Sequence, residues 1–289
     1  LDLFSPDKAD ERKVFFLSRI PRLISVLVAG SCLTIAGVVM QQITANKFIA
    51  PSTSGTMELT RLGVLFSMML FPTAGMMMKM SVAFVVSLIG TFIFMQILSR
   101  IKLKDSIFIP LVGIMFGGIV NSVSTFFAYQ YDLIQNIESW LMGSFSLVLK
   151  GRYELLYIGI PALIIVYIYA RQFTIASLGS DVASNLGLRY KAIVNLGLIL
   201  CAFITSIVVV TVGSISFIGI IIPNIVSIYK GDNLRETLPL MTVFGAGYLL
   251  MCDVLSRVLI YPYEVPVSVI AGTIGSALFI YLMLRKKDD

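Results

Sequence analysis

The sequence predicts an all-α polytopic membrane protein, and three observations carry that expectation. Nine apolar stretches lie within 289 residues with short joins between them. Hydrophobic residues make up 57% of the chain against 13% charged, with a mean hydropathy of +0.93. No segment of about ten residues alternates as a barrel strand would. A hydrocarbon slab of about 30 Å takes about 20 apolar residues per helix, so nine helices use most of the chain and leave no room for a soluble catalytic domain. Residues 1–289 therefore read as a single transmembrane domain.

The runs fall at roughly 22–43, 59–78, 80–98, 106–128, 153–170, 191–211, 214–229, 238–260 and 265–284. In lipid each must satisfy its backbone internally, which selects helices. Some are broken: Phe71-Pro72 interrupts the second run, Pro110 opens the fourth, and Gly213, Gly219 and Pro223 crowd the seventh. Irregular backbone at that depth belongs against protein or a water-filled cavity. Gln130–Leu149 differs from its neighbours. Asp132, Gln135, Asn136 and Glu138 accompany Leu133, Ile137 and Leu141 at helical spacing, with Trp140 as an aromatic anchor. That pattern suits an interfacial amphipathic helix or a plain connecting helix.

Lysine and arginine set the orientation. Counting joins alternately, one set holds Lys47, Arg100, Lys102, Lys104, Arg171, Arg189, Lys191, Lys230, Arg235, Arg285, Lys286 and Lys287, and the other only Lys79, Lys150, Arg152 and Arg257. The positive-inside rule puts the first set, and the C-terminus, in the cytoplasm. Nine spans then leave the N-terminus and an external segment, residues 1–21, outside. The basic cluster Lys8, Arg12, Lys13, Arg19 and Arg22 runs against the rule there. Two readings resolve this, and both are favoured: a helix precedes the cluster, and its arginines have an external role.

Composition excludes several chemistries. The chain has no histidine, so histidine catalysis and histidine metal ligation are out. Cys32, Cys201 and Cys252 lie apart in apolar runs and read as small buried hydrophobes. No GxxxxGK[ST] pattern is present, so the chain cannot cradle ATP phosphates alone. The net charge of +6 reports loop topology and not nucleic-acid binding. Met76, Met77, Met78 and Met80 could suggest a soft metal site, but adaptable packing is the better reading. Glu58 and Arg61, three apart, suggest a local ion pair near the cytoplasmic end of the second span, or a gate.

The loop Phe173–Lys191 carries the most specific local signal. Ser180 can cap a short helix beginning at Asp181, Gly187 can end it in a left-handed conformation, and Gly179 can hinge it to a turn over Thr174–Leu178. Leu178, Val182 and Leu186 then form an apolar ridge at a spacing of four. Such a ridge either meets a partner or packs on the protein's own helix ends.

The segment Ser177-Leu-Gly-Ser-Asp-Val-Ala-Ser-Asn-Leu-Gly-Leu188 resembles the coupling segment of permeases of the iron-siderophore and cobalamin ABC importer family. The likeness continues, in order, through Arg19-Ile-Pro-Arg22, Ala36-Gly37, Gln41 and Asn46. It then takes in Gly213-Ser-Ile-Ser-Phe-Ile-Gly-Ile-Ile-Ile-Pro-Asn224, Gly231-Asp-Asn-Leu-Arg235, Asp253-Val-Leu-Ser-Arg257 and Glu264-Val-Pro266 with Gly272 and Gly275. Departures include Asn46-Lys47-Phe48 for the family's N-P-L and Pro223-Asn224 for its P-H, while Ser268 and Ala277 replace a glycine and a proline. The Asn-Lys-Phe form resembles the branch handling ferric catecholate-type siderophores.

The resemblance implies a ten-helix type II importer permease, here without its first helix, that moves a ferric siderophore inward. The implied partners are a second permease subunit, identical or different, two cytoplasmic ATPase subunits, an extracytoplasmic siderophore-binding protein and the bilayer of the bacterial cytoplasmic membrane. The chain itself is then no enzyme and binds no cofactor or metal, with ATP and magnesium on the ATPase. The coupling segment is 173–189, with Leu178, Gly179, Ser180, Asp181, Val182, Asn185, Leu186 and Gly187 facing the ATPase. Arg19, Arg22 and Arg257 are implied to receive carboxylates of the binding protein, unless they snorkel at helix ends or Arg257 pairs with Asp253 four residues earlier. Small residues of the first and fourth runs suggest a pathway through Gly37, Gln41, Gly117 and Asn121. Alternatives are a cobalamin or haem importer of the same family, or an ion-coupled secondary transporter, which would need a carboxylate at the membrane centre.

Overall fold

A helix running from Ile20 to Ile43, with Arg22 as its one charged residue, becomes the axle of the molecule because small residues line it on several sides. In a computed structural model describing residues 15–100, 108–146, 148, 151 and 153–285, this helix, α1, is preceded by a π turn (Phe15–Arg19). It is buried without interruption from Ala29 to Ile43. The other helices are α2 (Thr56–Leu70), α3 (Met76–Arg100), α4 (Phe108–Gln130), α5 (Ile134–Leu141), α6 (Gly159–Ile168), α7 (Ala170–Ala176), α8 (Ser180–Asn185), α9 (Tyr190–Val212), α10 (Ile218–Lys230), α11 (Leu234–Val258) and α12 (Val267–Arg285). Among the described residues the only β pairing is two isolated bridges. The all-α expectation holds.

Around α1 pack α9, α10 and α11. Glycines set how closely they approach. A methyl carbon on Gly37 would lie 2.0 Å from the Gly219 carbonyl oxygen of α10, and one on Gly30 would lie 2.5 Å from the Gly245 carbonyl oxygen of α11. Backbones therefore touch directly, and dispersion between helices does in lipid what water expulsion does elsewhere.

The bundle has two ends. The near end holds the start of α1, the turn between α2 and α3, α5, and the turn between α11 and α12. There Arg22 reaches Asp253 and Glu264. The far end holds the loop after α1, the α7–α9 segment, and the loop between α10 and α11, tied by Lys47 to Asp232 at 2.8 Å and by the Leu234 amide to the Thr174 hydroxyl at 3.2 Å.

Among the described residues, five helical stretches are long and apolar enough to cross a bilayer: Phe15–Ile43, Met76–Leu98, Ile109–Gln130, Tyr190–Val212 and Leu234–Val258. A sixth counts if Glu154–Ile168 and Ala170–Ala176, bent by 62°, form one span. The remaining apolar runs form shorter helices, α2, α10 and α12. The second run differs most from expectation. It ends at Leu70, and the chain turns back through Pro72 to begin α3 at Met76.

Two helices start inside the bundle. After α1 the chain passes through the 3-10 turn Pro51–Ser54 to Gly55, whose left-handed φ of 77° and close approach to the Gly113 carbonyl leave no room for a side chain. There α2 begins. Its depth is fixed by a hydroxyl chain: Thr60 meets Ser87, at the centre of α3, at 3.0 Å, and Ser87 meets Ser206 of α9 at 2.7 Å. In the same way α10 begins beside Gly37, after an irregular stretch that ends at Phe217 with φ 69°.

Candidate functional site

At the far end, α7 closes at Ala176 and Gly179 turns the chain with φ 94° into α8, which Gly187 ends with φ 80°. The Gly187 amide bonds the Ser184 carbonyl at 2.9 Å and the Leu188 amide bonds that of Ala183 at 3.0 Å, the paired closure of a left-handed cap. Gly179, and not Ser180, is the N-cap residue; the Ser180 hydroxyl bonds Asp181 at 3.1 Å. Only Ala183 of α8 is buried, while Leu178, Val182 and Leu186 are all exposed. The ridge therefore does not fold back on its own helix ends. It stands out from the bundle beside Asp181 and Asn185.

At the near end the three arginines separate. Arg22, with only 11% of its side chain exposed, gives Nε and Nη2 to Asp253 at 3.1 and 2.9 Å and Nη1 to both Glu264 oxygens at 3.0 and 2.9 Å. Fully buried Asp253 also takes Arg257, the intrahelical pair that the spacing of four allowed. In this arrangement the Arg22 guanidinium is engaged by two carboxylates of the chain itself. Arg257 keeps nearly half of its side chain in the open. Arg19 is exposed and makes no ion pair among the described residues. Of the expected external segment, residues 1–14 lie outside those described.

The interior charges pair differently from the sequence expectation. Arg61 gives Nη2 to Glu138 of α5 at 2.7 Å and not to Glu58. Neither lies near a far-end surface, because α2 begins within the bundle. Glu58 Oε2 and Arg61 Nε are both buried without a hydrogen-bond partner. Gly117 of α4 backs onto the Glu58 carboxylate, where a methyl carbon would come within 3.2 Å of Oε2.

Four residues were expected along a pathway. Gly37 is pressed on the Gly219 backbone and Gln41 is buried, its amide donating to the Gly219 carbonyl at 3.2 Å. Both knit α1 to α10. Gly117 is sealed by Gly55 and Glu58. Asn121 is exposed on α4, at helical spacing with exposed Gly118, Ser122 and Thr125. Small and polar groups thus mark one open face of α4.

The amphipathic segment forms α5, with Ile137 and Leu141 buried as their spacing implied. Trp140 turns inward, its indole N–H donating to the Val210 carbonyl of α9 at 2.9 Å. Beside α5 lies a cavity of about 470 Å³ lined by Met68, Met76, Met80 and Met142 together with Lys79, Asn136, Ser139 and Trp140. Trp140→Phe should cost about 1 kcal/mol, the net worth of one buried hydrogen bond, seen as a lower midpoint of thermal unfolding in detergent.

Sequence reasoning did not find Glu138 and Glu264 as partners of Arg61 and Arg22, nor Asp232 as that of Lys47. All three sit far along the chain from the cations they meet, so no local spacing reports them.

Comparison with known proteins follows this geometry. A model of the FecCD transport family matches residues 1–285. The petrobactin import system permease protein YclN of Bacillus subtilis is 55% identical over 99% of this chain and 90% of its own length. Petrobactin import system permease protein FatD of Bacillus anthracis is 41% identical over 96% and 83%. The ferric-anguibactin transport system permease protein FatD of Vibrio anguillarum is 37% identical over 93% and 85%. Among solved structures, a metal-chelate type ABC transporter in an inward-facing conformation superposes with a TM-score of 0.87 at 24% identity, over 98% of this chain and 90% of that one. With its helix order, its projecting α8 and a family match over nearly its whole length, this chain belongs to the FecCD transport family.

Proposed function

We propose that the chain is the membrane-spanning permease of an ABC importer that carries a ferric siderophore of the petrobactin type into the cytoplasm. The observation that carries this reading is the exposed Leu178–Val182–Leu186 ridge in a chain 55% identical to a petrobactin permease. Nine segments cross the bacterial cytoplasmic membrane: α1, α3, α4, the α6–α7 pair, α9, α11 and α12, and α2 and α10 each together with the irregular chain that leads into it. The far end and C-terminus face the cytoplasm, and the near end faces outward. A second permease subunit completes the route, two ATPase subunits seat the α8 ridges, and a siderophore-binding protein docks on the near end through Arg19 and Arg257.

The physical logic is that of a bundle driven from outside itself. A short helix held by left-handed glycines at both ends moves as a unit, so closure of a groove around it becomes a displacement of α7 and α9. Guanidinium groups left partly free at the near end suit bidentate capture of carboxylates.

The test is uptake of iron-labelled ferric petrobactin into vesicles holding the complete transporter and its binding protein. ATP-dependent accumulation is expected, with Val182→Glu abolishing it while membrane insertion stays unchanged. Accumulation without ATP, or in the Val182→Glu variant, would overturn the reading. Glu58, a carboxylate with a buried, unpartnered oxygen of the kind an ion-coupled carrier would use, favours one competing reading. Uptake driven by an ion gradient after ATP depletion would establish it.

A further inference from the structure

Three observations converge on α5. Buried Ile137 and Leu141 and the Trp140 bond to Val210 seat it on the bundle, while its exposed edge is tied to α2 by one ion pair, Arg61 to Glu138, the only charged link between α2 and α5 among the described residues. Its other face borders the cavity of about 470 Å³ through Asn136, Ser139 and Trp140. One turn back along α2 stands a second carboxylate, Glu58, which is not paired with Arg61 but, like the Arg61 Nε, has a buried polar atom without a hydrogen-bond partner.

These two orphans are complementary. A guanidinium and a carboxylate three residues apart on a helix are within side-chain reach of each other, and a bidentate pair would satisfy both atoms at once. The group abandoned in that exchange would be Glu138, whose side chain is already 56% exposed, so water takes it up at little cost. In the present arrangement Arg61, 21% exposed, instead leaves buried polar atoms of both Glu58 and itself unmatched. Each arrangement gains what the other forfeits, which is what a two-state element requires.

We propose that Arg61 is an exchangeable latch: paired with Glu138 it holds the exposed edge of α5 to α2 at the near end, and moved to Glu58 it releases that edge, leaving α5 to pivot about its buried Ile137 and Leu141 toward the cavity beside it. Gly117 belongs to the device, because a side chain there would press on the Glu58 carboxylate where it lies against α4. Arg61, Glu138 and Glu58 then act as gating residues and need not touch the cargo. This assignment rests on the proposed transport function.

The experiment uses the complete reconstituted transporter. Arg61→Cys with Glu138→Cys is bridged by a short bis-methanethiosulfonate tether; Cys32, Cys201 and Cys252 are buried and out of reach. Bridging should stop ATP-dependent uptake of ferric petrobactin, and reductant should restore it to the level of the unbridged double variant. That recovery also shows that the double variant is folded. In a separate arm, Glu58→Gln should lower uptake about tenfold, the population shift expected when the receiving ion pair becomes a neutral amide. Full uptake in the bridged protein, or wild-type uptake in Glu58→Gln, overturns the latch. Failure of the unmodified transporter to take up the chelate with ATP would instead count against the transport reading.

Discussion

Gly37→Val should prevent accumulation of folded protein. The substituted side chain would have to occupy space where the Gly219 carbonyl oxygen lies 2.0 Å from the first carbon, with the Gly219 Cα at 2.4 Å. Neither obstacle is a flexible side chain. Relief requires α1 and α10 to separate, and that breaks the Gln41 bond to the Gly219 carbonyl and opens the packing on both sides of it. Overpacking of a tight core commonly costs about 1–3 kcal/mol, and a backbone-to-backbone clash falls at or beyond the upper limit. Monodisperse protein recovered after detergent extraction is the measurement. Gly247→Ala is the control, on α11 but with open space around the added carbon, and should be recovered at wild-type yield. Equal recovery of Gly37→Val would show that the two helices are not held in contact.

Asp253→Ala is expected to lose about 3–5 kcal/mol, the usual cost of leaving a buried partner charge uncompensated. Asp253 is fully buried and is the shared acceptor for Arg22 and Arg257. Its removal leaves Arg22 with Glu264 alone, on one side of its guanidinium, in a site with little access to water. A combined Arg22→Met, Asp253→Leu variant should recover most of the loss, because replacing a buried pair by apolar groups of similar volume is often near neutral. Thermal unfolding in detergent reads both. A destabilisation of the double variant as large as that of Asp253→Ala would show that the damage comes from packing and not from the stranded cation.

What the sequence made legible was local. The ridge Leu178–Val182–Leu186 and the left-handed stop at Gly187 depend on residues within one short segment, and the structure has both. Helix positions followed from apolar runs, since each run must satisfy its own backbone in lipid. Where α2 and α10 begin did not follow, because their interior starts depend on Gly55 meeting Gly113 and on Gly219 meeting Gly37, contacts between distant parts of the chain. The same limit misassigned Arg61. Spacing of three offered Glu58 as its partner, whereas the pair forms with Glu138 on another helix. Gly37 and Gln41 show a further ambiguity: a small or polar residue in an apolar run fits a passage and a tight seam equally well, and only the neighbouring helix decides.

Along α1 the ties to its neighbours come at three heights: Arg22 on Asp253 near one mouth, Gly30 on Gly245 midway, and Gly37 on Gly219 deeper in. A rod pinned so often to α10 and α11 has no slack in which to absorb a push. Under the proposed function, force delivered to the far end through those helices reaches the near end within the same stroke, as motion of a spindle and not as bending.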